Sequence, residues 1–339
     1  VQASGAALGP VFTVGKALGF AGVDVFFVIS GFIMVYTTRD EAGGVAASDF
    51  LRRRVARIYS GYWPFFLIAL AMIVLLQPER FDTVALLASF TLWPTGQPVL
   101  PVSWTLTYEM IFYLSFTVLV LFPAAVRHRL LTSGLVLILA WSAWSFFVRG
   151  DYEPGTLEQL PLAQAWLASP FLAEFLAGAV GARWLERNPT GRAWTWLLLG
   201  AGLLLIGGWV NWVVFQWGLE QGYDLFYRVL AFGPGSLLVL VGAVRLEATG
   251  VRAPLRLSLA LGASSYALDL SHTLVFWGFA EGGLHHALQS RPDGVVWAVY
   301  LALSFGIDVA SWAFYRVVER PLHALLRRLL HAVHPKPLS

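Results

Sequence analysis

AGVDVFFVISGFIMVYTTRD, Ala21 to Asp40, and FLRRRVARIYSGYWPFFL, Phe50 to Leu67, decide how this chain is read. The first stretch is an apolar helix that closes at its arginine and aspartate. A short polar turn follows. Four arginines, Arg52, Arg53, Arg54 and Arg57, then open a second apolar helix. A guanidinium cluster beside two apolar runs marks a membrane border, where basic residues set orientation and meet anionic lipid.

Working outward, the apolar pattern repeats along all 339 residues. The chain is 58% hydrophobic, with a mean hydropathy of +0.67. Only 13% of residues are charged, against about a quarter in a soluble domain. Fifteen tryptophans and 32 glycines suit helices packed in lipid with aromatic borders. The formal charge of +3 gives no reason to expect a nucleic-acid partner. The absence of cysteine excludes disulfides, thiolate chemistry and cysteine metal sites. The seven histidines form no metal-ligand constellation.

A spanning helix needs about 20 mostly apolar residues. By that measure the chain reads as an all-α polytopic bundle of nine spanning helices. These are 20–38, 62–77, 104–122, 130–148, 171–184, 194–215, 226–244, 257–280 and 295–318. The run Thr83–Thr95 is too short and reads as re-entrant or broken. Val1–Ala21 holds no run long enough to span. Of the 23 lysines and arginines, Lys16, Arg80, Arg149, Arg228 and Arg291 fall on one side, and the rest on the other. The arginine-rich side and the C-terminus are therefore expected in the cytoplasm. The acidic connections Asp151–Glu158 and Glu220–Asp224 then lie outside. The whole chain reads as a single membrane domain, with 322–339 as a basic amphipathic tail on the inner surface.

Ionisable groups at membrane depth need a partner, water or a function. Asp24, Glu109, Glu174, Asp269, His272 and Asp308 lie in or near spans. Glu174 and Asp308 read equally well as helix-to-helix hydrogen-bonding groups. Glu109 sits in WTLTYE, Trp104 to Glu109, ringed by hydrogen-bonding side chains, which favours a functional or ion-pairing role. Asp269 and His272 are three apart, on one helix face. They serve either as acid–base equipment or as a structural hydrogen bond. The arginines at 53, 54 and 57 can hold phosphates at a helix start, or simply anchor the helix to lipid. Glu319 is either a plain border acid or a partner for one of them.

Several of these segments, taken together, resemble the membrane acyltransferase-3 family. GVDVFFVISGFIM, Gly22 to Met34, is similar to its second-helix signature. FLRRRVARIYSGYW, Phe50 to Trp63, is similar to its arginine-rich helix entry. WTLTYEMIFY, Trp104 to Tyr113, resembles its Trp-Ser/Thr-Leu-x-x-Glu segment, and SYALDLSH, Ser265 to His272, its late Ser-Tyr…His segment. Tyr315–Pro321 resembles its closing Glu-x-Pro. Within the family the likeness is greatest to bacterial exopolysaccharide O-acetyltransferases of the succinoglycan type.

The resemblance implies O-acyl transfer, usually acetyl, from cytoplasmic acyl-CoA to a sugar hydroxyl of an exopolysaccharide or lipid-linked glycan, in a bacterial inner membrane. No permanently bound cofactor is expected. Glu109 and His272 are then the catalytic candidates, and Arg53, Arg54 and Arg57 the donor-binding ones. Asp24, Ser30, Trp104, Tyr108 and Asp269 line the cavity or meet substrate. Polysaccharide-synthesis machinery is a possible partner. The family's principal histidine belongs to a first helix, yet the first histidine here is His128. The sequence therefore reads as a fragment starting after that helix. Two further departures are Ser60-Gly61, where the family often has proline, and Asp269, where it often has tyrosine. A glycolipid transporter or flippase, with the buried acids as a proton path, is the alternative from another class. A non-catalytic component of a polysaccharide assembly complex is a third.

Overall fold

The computed structural model describes residues 10–78, 82–94, 98–150, 166–216, 225–251, 255–289 and 291–332. Arg80, both acidic connections and the last residues of the tail lie outside the described residues. Every regular element described is helical. In chain order these are α1 (Pro10–Gly19), α2 (Gly22–Thr37), α3 (Gly44–Leu76), α4 (Thr83–Phe90), α5 (Trp104–Val120) and α6 (Ala124–Trp144). Next come α7 (Phe171–Arg187), α8 (Ala193–Val213), α9 (Leu225–Ala248) and α10 (Leu255–Glu281). The last are α11 (Leu284–Leu288), α12 (Asp293–Phe314) and α13 (Arg320–Ala332). π-Helical turns, Ser145–Arg149 and Tyr315–Glu319, extend α6 and join α12 to α13.

The expectation of nine spanning helices is corrected. Among the described residues six helices are long and apolar enough to cross a membrane: Val14–Thr37, Gly44–Leu76, Ala124–Arg149, Ala193–Val213, Leu225–Ala248 and Asp293–Leu330. The physical reasons are length and polarity. α5 and α7 have 17 residues each, about 25 Å of rise against a hydrocarbon core of about 30 Å. α10 has 27 residues, but serines, Asp269 and His272 interrupt its apolar run. A second correction concerns the arginine cluster. α3 starts at Gly44, so Arg52–Arg57 lie in its interior and do not open it. Ala46, Ala47, Ser48 and Asp49 continue the helix where a turn was expected. The phosphate-binding geometry of a helix N-terminus is therefore absent at these arginines.

The chain forms two compact units. One comprises Pro10–Phe50 and Ile111–Arg252. In it α2 packs along α7, and α9 packs against α2, α7 and α8. Gly31 and Gly178 make the first contact possible. A Cβ on Gly31 would collide with the Phe175 carbonyl, and one on Gly178 with the Val28 carbonyl. Small residues let helix backbones meet where burial from water drives nothing. Phe27 closes the seam, edge-on to Phe112 and Phe171. Val136, Leu137, Leu198, Leu205 and Ile206 point outward, as lipid-facing residues do.

The other unit holds Leu51–Met110 and the residues from Ala253 onward. The eight-residue α4 starts at Asp82, whose carboxylate accepts from the Val84 amide at 2.9 Å. It is tied to α3 by aromatic donors. Tyr62 donates to the Ser89 carbonyl at 2.8 Å, Tyr59 to that of Thr91 at 2.7 Å, and Trp63 to that of Phe90 at 3.3 Å. These bonds satisfy carbonyls left open at the end of a helix too short to cross.

Candidate functional site

In the unit containing Arg57 and His272, α3 carries the arginines on a helix held from two sides. Arg57 Nη1 donates to Glu319 Oε1 at 2.6 Å. The Glu319 side chain is fully buried, whereas that of Arg57 is 39% exposed. The guanidinium also lies over the Tyr266 ring, 5.3 Å from its centroid. Tyr266 in turn donates its hydroxyl to the Ile58 carbonyl at 3.0 Å. Of the two readings of Glu319, the structure selects the arginine partner.

Ser60-Gly61 gains a reason here. A Cβ on Gly61 would collide with the Tyr266 ring, and the Glu319 carboxyl carbon lies beside it. Glycine lets Tyr266 and Glu319 reach Arg57. Ser60 Oγ donates to the Arg57 carbonyl at 3.1 Å and lies 3.5 Å from His323 Nδ1. Arg53 and Arg54 are half-buried and engaged.

α5 presents a polar, buried stretch in an apolar setting. Thr105, Thr107, Tyr108 and Glu109 are all buried, Glu109 at 6% exposure. Glu109 has interaction partners, so it is no isolated charge. Trp104 meets Tyr108 edge-on at 6.0 Å. Thr105 and Thr107 donate back to the carbonyls of Val102 and Ser103, in the short 3-10 turn that leads into α5.

His272 sits half-buried on α10 with Nδ1 3.1 Å from the Leu268 carbonyl. A carbonyl only accepts, so Nδ1 carries the proton, and in the neutral ring Nε2 keeps its lone pair. No hydrogen bond or ion pair joins Asp269 to His272 among the described residues; the backbone, not that carboxylate, orients the ring. Ser271 meets Ser311 at 2.9 Å, which ties α10 to α12. Asp308 lies on an exposed face of α12.

The remaining sequence candidates belong to the other unit. Asp24 is completely buried on α2. Its carboxylate is gripped by Arg228, Nη2 to Oδ2 at 2.9 Å and Nε to Oδ1 at 3.2 Å. Arg228 is 3% exposed, bonds the Phe20 carbonyl at 3.3 Å, and stacks over Phe20 and Phe171. The charge count along the sequence treats it as a loop cation. Their separation of 204 residues gives sequence spacing no means of pairing them. Glu174 is buried beside Gly233, and neither carboxyl oxygen has a hydrogen-bond partner among the described residues. Ser30 is buried on α2. None of the described His, Asp and Glu residues forms a group suited to a metal ion.

These features describe a multi-pass membrane protein whose helices carry buried acids, a half-open arginine and a backbone-oriented histidine. Residues 3–316 match the family described as the acyltransferase domain (Acyl_transf_3), and the chain belongs to that family of membrane acyltransferases. It is thereby an O-acyltransferase that uses an acyl donor. It is 31% identical over 319 residues to the exopolysaccharide production protein ExoZ of Rhizobium meliloti (strain 1021), covering 90% of each chain. It is 28% identical over 354 residues to the acyltransferase MdmB of Streptomyces mycarofaciens, covering 95% of this chain and 86% of that one. No solved structure matches it.

Proposed function

We propose that this protein transfers an acetyl group from acetyl-CoA to a sugar hydroxyl of an exopolysaccharide or its lipid-linked precursor, in the bacterial inner membrane. The observation that carries the reading is the family match along almost the whole chain, together with the likeness to an exopolysaccharide production protein. In this reading the arginine-rich side of the chain, with Arg52–Arg57 in the interior of α3, and the C-terminus face the cytoplasm, where the donor is found.

Arg57 takes the donor's phosphates while Glu319 fixes its orientation, and Arg53 and Arg54 add positive charge. The acceptor hydroxyl oxygen attacks the thioester carbonyl. The carbon–sulfur bond breaks, and the thiolate leaves and takes up a proton. His272 Nε2 supports removal of the hydroxyl proton. Glu109, with Tyr108 and Trp104 beside it, orients the reacting hydroxyl.

Labelled acetyl transfer to isolated glycan, by full-length protein in lipid, tests the reading. Arg57→Lys, which keeps a cation beside the buried Glu319, is expected to raise the donor KM, and Glu109→Gln to lower kcat, with elution profiles unchanged. Wild-type rates in both variants would remove these residues from the site.

A further inference from the structure

A second polar feature lies away from the groups assigned to acyl transfer. Where α2 ends and α6 begins, a small, partly open pocket is lined by Val35, Arg39, Arg127, His128, Arg183 and Glu186, over Ala124 and Leu131.

Arg127 is the informative residue. It is 2% exposed and cannot shed its proton. Its guanidinium donates to the carbonyls of Thr38 at 2.7 Å and Glu41 at 3.1 Å. No carboxylate pairs with it among the described residues. Glu41 and Glu186 act on its charge only through space, without a direct ion pair, and the Phe116 ring lies 5.9 Å from the guanidinium, so the charge is balanced at a distance and not by contact.

Two more arginines reach the pocket from its rim. Arg39, 54% exposed, pairs with its neighbour Asp40 at 3.1 Å; Arg183, 38% exposed, pairs with Glu186 at 2.8 Å. Short-range surface pairs of this kind are weak, so a phosphate competes with them. Two of the buried polar atoms at this pocket, His128 Nδ1 and Glu186 Oε1, have no hydrogen-bond partner among the described residues.

We propose that this pocket binds the phosphate of an anionic membrane phospholipid beside Arg127, with Arg39 and Arg183 closing over it. The unpartnered Glu186 oxygen takes a headgroup hydroxyl, which fits a phosphatidylglycerol-type headgroup. The location favours a lipid over a soluble phosphate. The spans Val14–Thr37 and Ala124–Arg149 both terminate here, so the arginines stand at the bilayer edge, while Val35 and Leu131 offer apolar surface within it. The same end carries a border signature in Arg245, stacked on Trp184 and Trp196 at 4.7 and 5.5 Å.

The test uses the full chain in detergent, titrated with phosphatidylglycerol, phosphatidylcholine or inorganic phosphate and read by native mass spectrometry and thermal stability. Wild type is expected to retain phosphatidylglycerol selectively. Arg39→Gln/Arg183→Gln should bind it roughly tenfold more weakly, as removal of two border guanidiniums implies. The Arg39→Gln and Arg183→Gln single variants should fall between, and serve alone if the double variant elutes abnormally. Arg316→Gln, a border arginine stacked on Trp312 outside the pocket, should leave retention unchanged. Equal retention by wild type and the pocket variants would overturn the proposal. So would an equal loss in Arg316→Gln, or stabilisation by inorganic phosphate matching that by the lipid.

Discussion

Arg228 and Arg57 each meet a buried carboxylate, yet the two pairs differ in what they leave open. Arg228 and Asp24 are 3% and 0% exposed, joined by two bonds and roofed by Phe20 and Phe171. Nothing of that guanidinium remains for a ligand from outside. Arg57 and Glu319 are 39% and 0% exposed, joined by one bond. Arg57 is fixed by Glu319 and Tyr266 yet keeps part of its side chain exposed. The same chemical pair thus serves as a lock in one unit and as a mounted binding group in the other. Degree of enclosure, more than charge, separates the two roles.

The largest effect should come from breaking the lock. Arg228→Met leaves Asp24 buried without a counter-charge, a loss of about 3–5 kcal/mol, read as a collapse of thermal stability in detergent. Adding Asp24→Leu should restore much of it, since an apolar pair of similar volume replaces a buried ion pair at little cost. If Arg228→Met unfolds no more easily than wild type, the contrast between the pairs fails.

A smaller and different effect is expected at the mounted arginine. Arg57→Lys keeps the charge but loses the planar fork. It should raise the donor KM roughly tenfold, about 1.4 kcal/mol, with thermal stability nearly unchanged. Glu319→Gln retains an acceptor oxygen for Arg57 Nη1 but no charge. A neutral bond for a charged one costs about 1 kcal/mol, so the donor KM should rise a few-fold, less than in Arg57→Lys. A larger effect for Glu319→Gln would place the acid, not the arginine, at the donor. Tyr266→Phe keeps the ring under Arg57 and loses only the bond to the Ile58 carbonyl. Its mark should be a stability loss of about 0.5–1.5 kcal/mol at unchanged donor KM, measured by thermal unfolding beside initial rates.

Much of this was legible in order but not in depth. The apolar runs disclose an all-helical membrane chain because lipid forces backbone groups to pair within each segment. The motifs Gly22–Met34 and Trp104–Tyr113 lead to the family now matched over residues 3–316. The number of spans was not legible, because an apolar run does not reveal whether its helix is long enough. α5 and α7 are spanning by composition and short by geometry. The polar turn expected between Asp40 and Phe50 is shorter than the sequence suggests. Gly43, at φ +91°, ends the loop, and α3 begins at the next residue. Glu319 was recognisable as a partner for an arginine, but which one depended on Gly61 admitting Tyr266. Asp24 could be singled out as an acid near lipid, while its cation, in α9, was counted as a loop charge. Pairings across 204 residues come from packing of α2 against α9, for which one sequence holds no local signal.

The most direct measurement compares kcat/KM for acetyl-CoA with that for acetyl-pantetheine, which lacks the nucleotide phosphates. Wild type and Arg57→Gln/Glu319→Gln are assayed side by side, the double variant replacing the half-open ion pair by a neutral amide pair. Wild type should favour acetyl-CoA strongly, and the variant should lose most of that preference while still turning over acetyl-pantetheine. An unchanged preference in the variant would contradict the assignment of Arg57 to the donor.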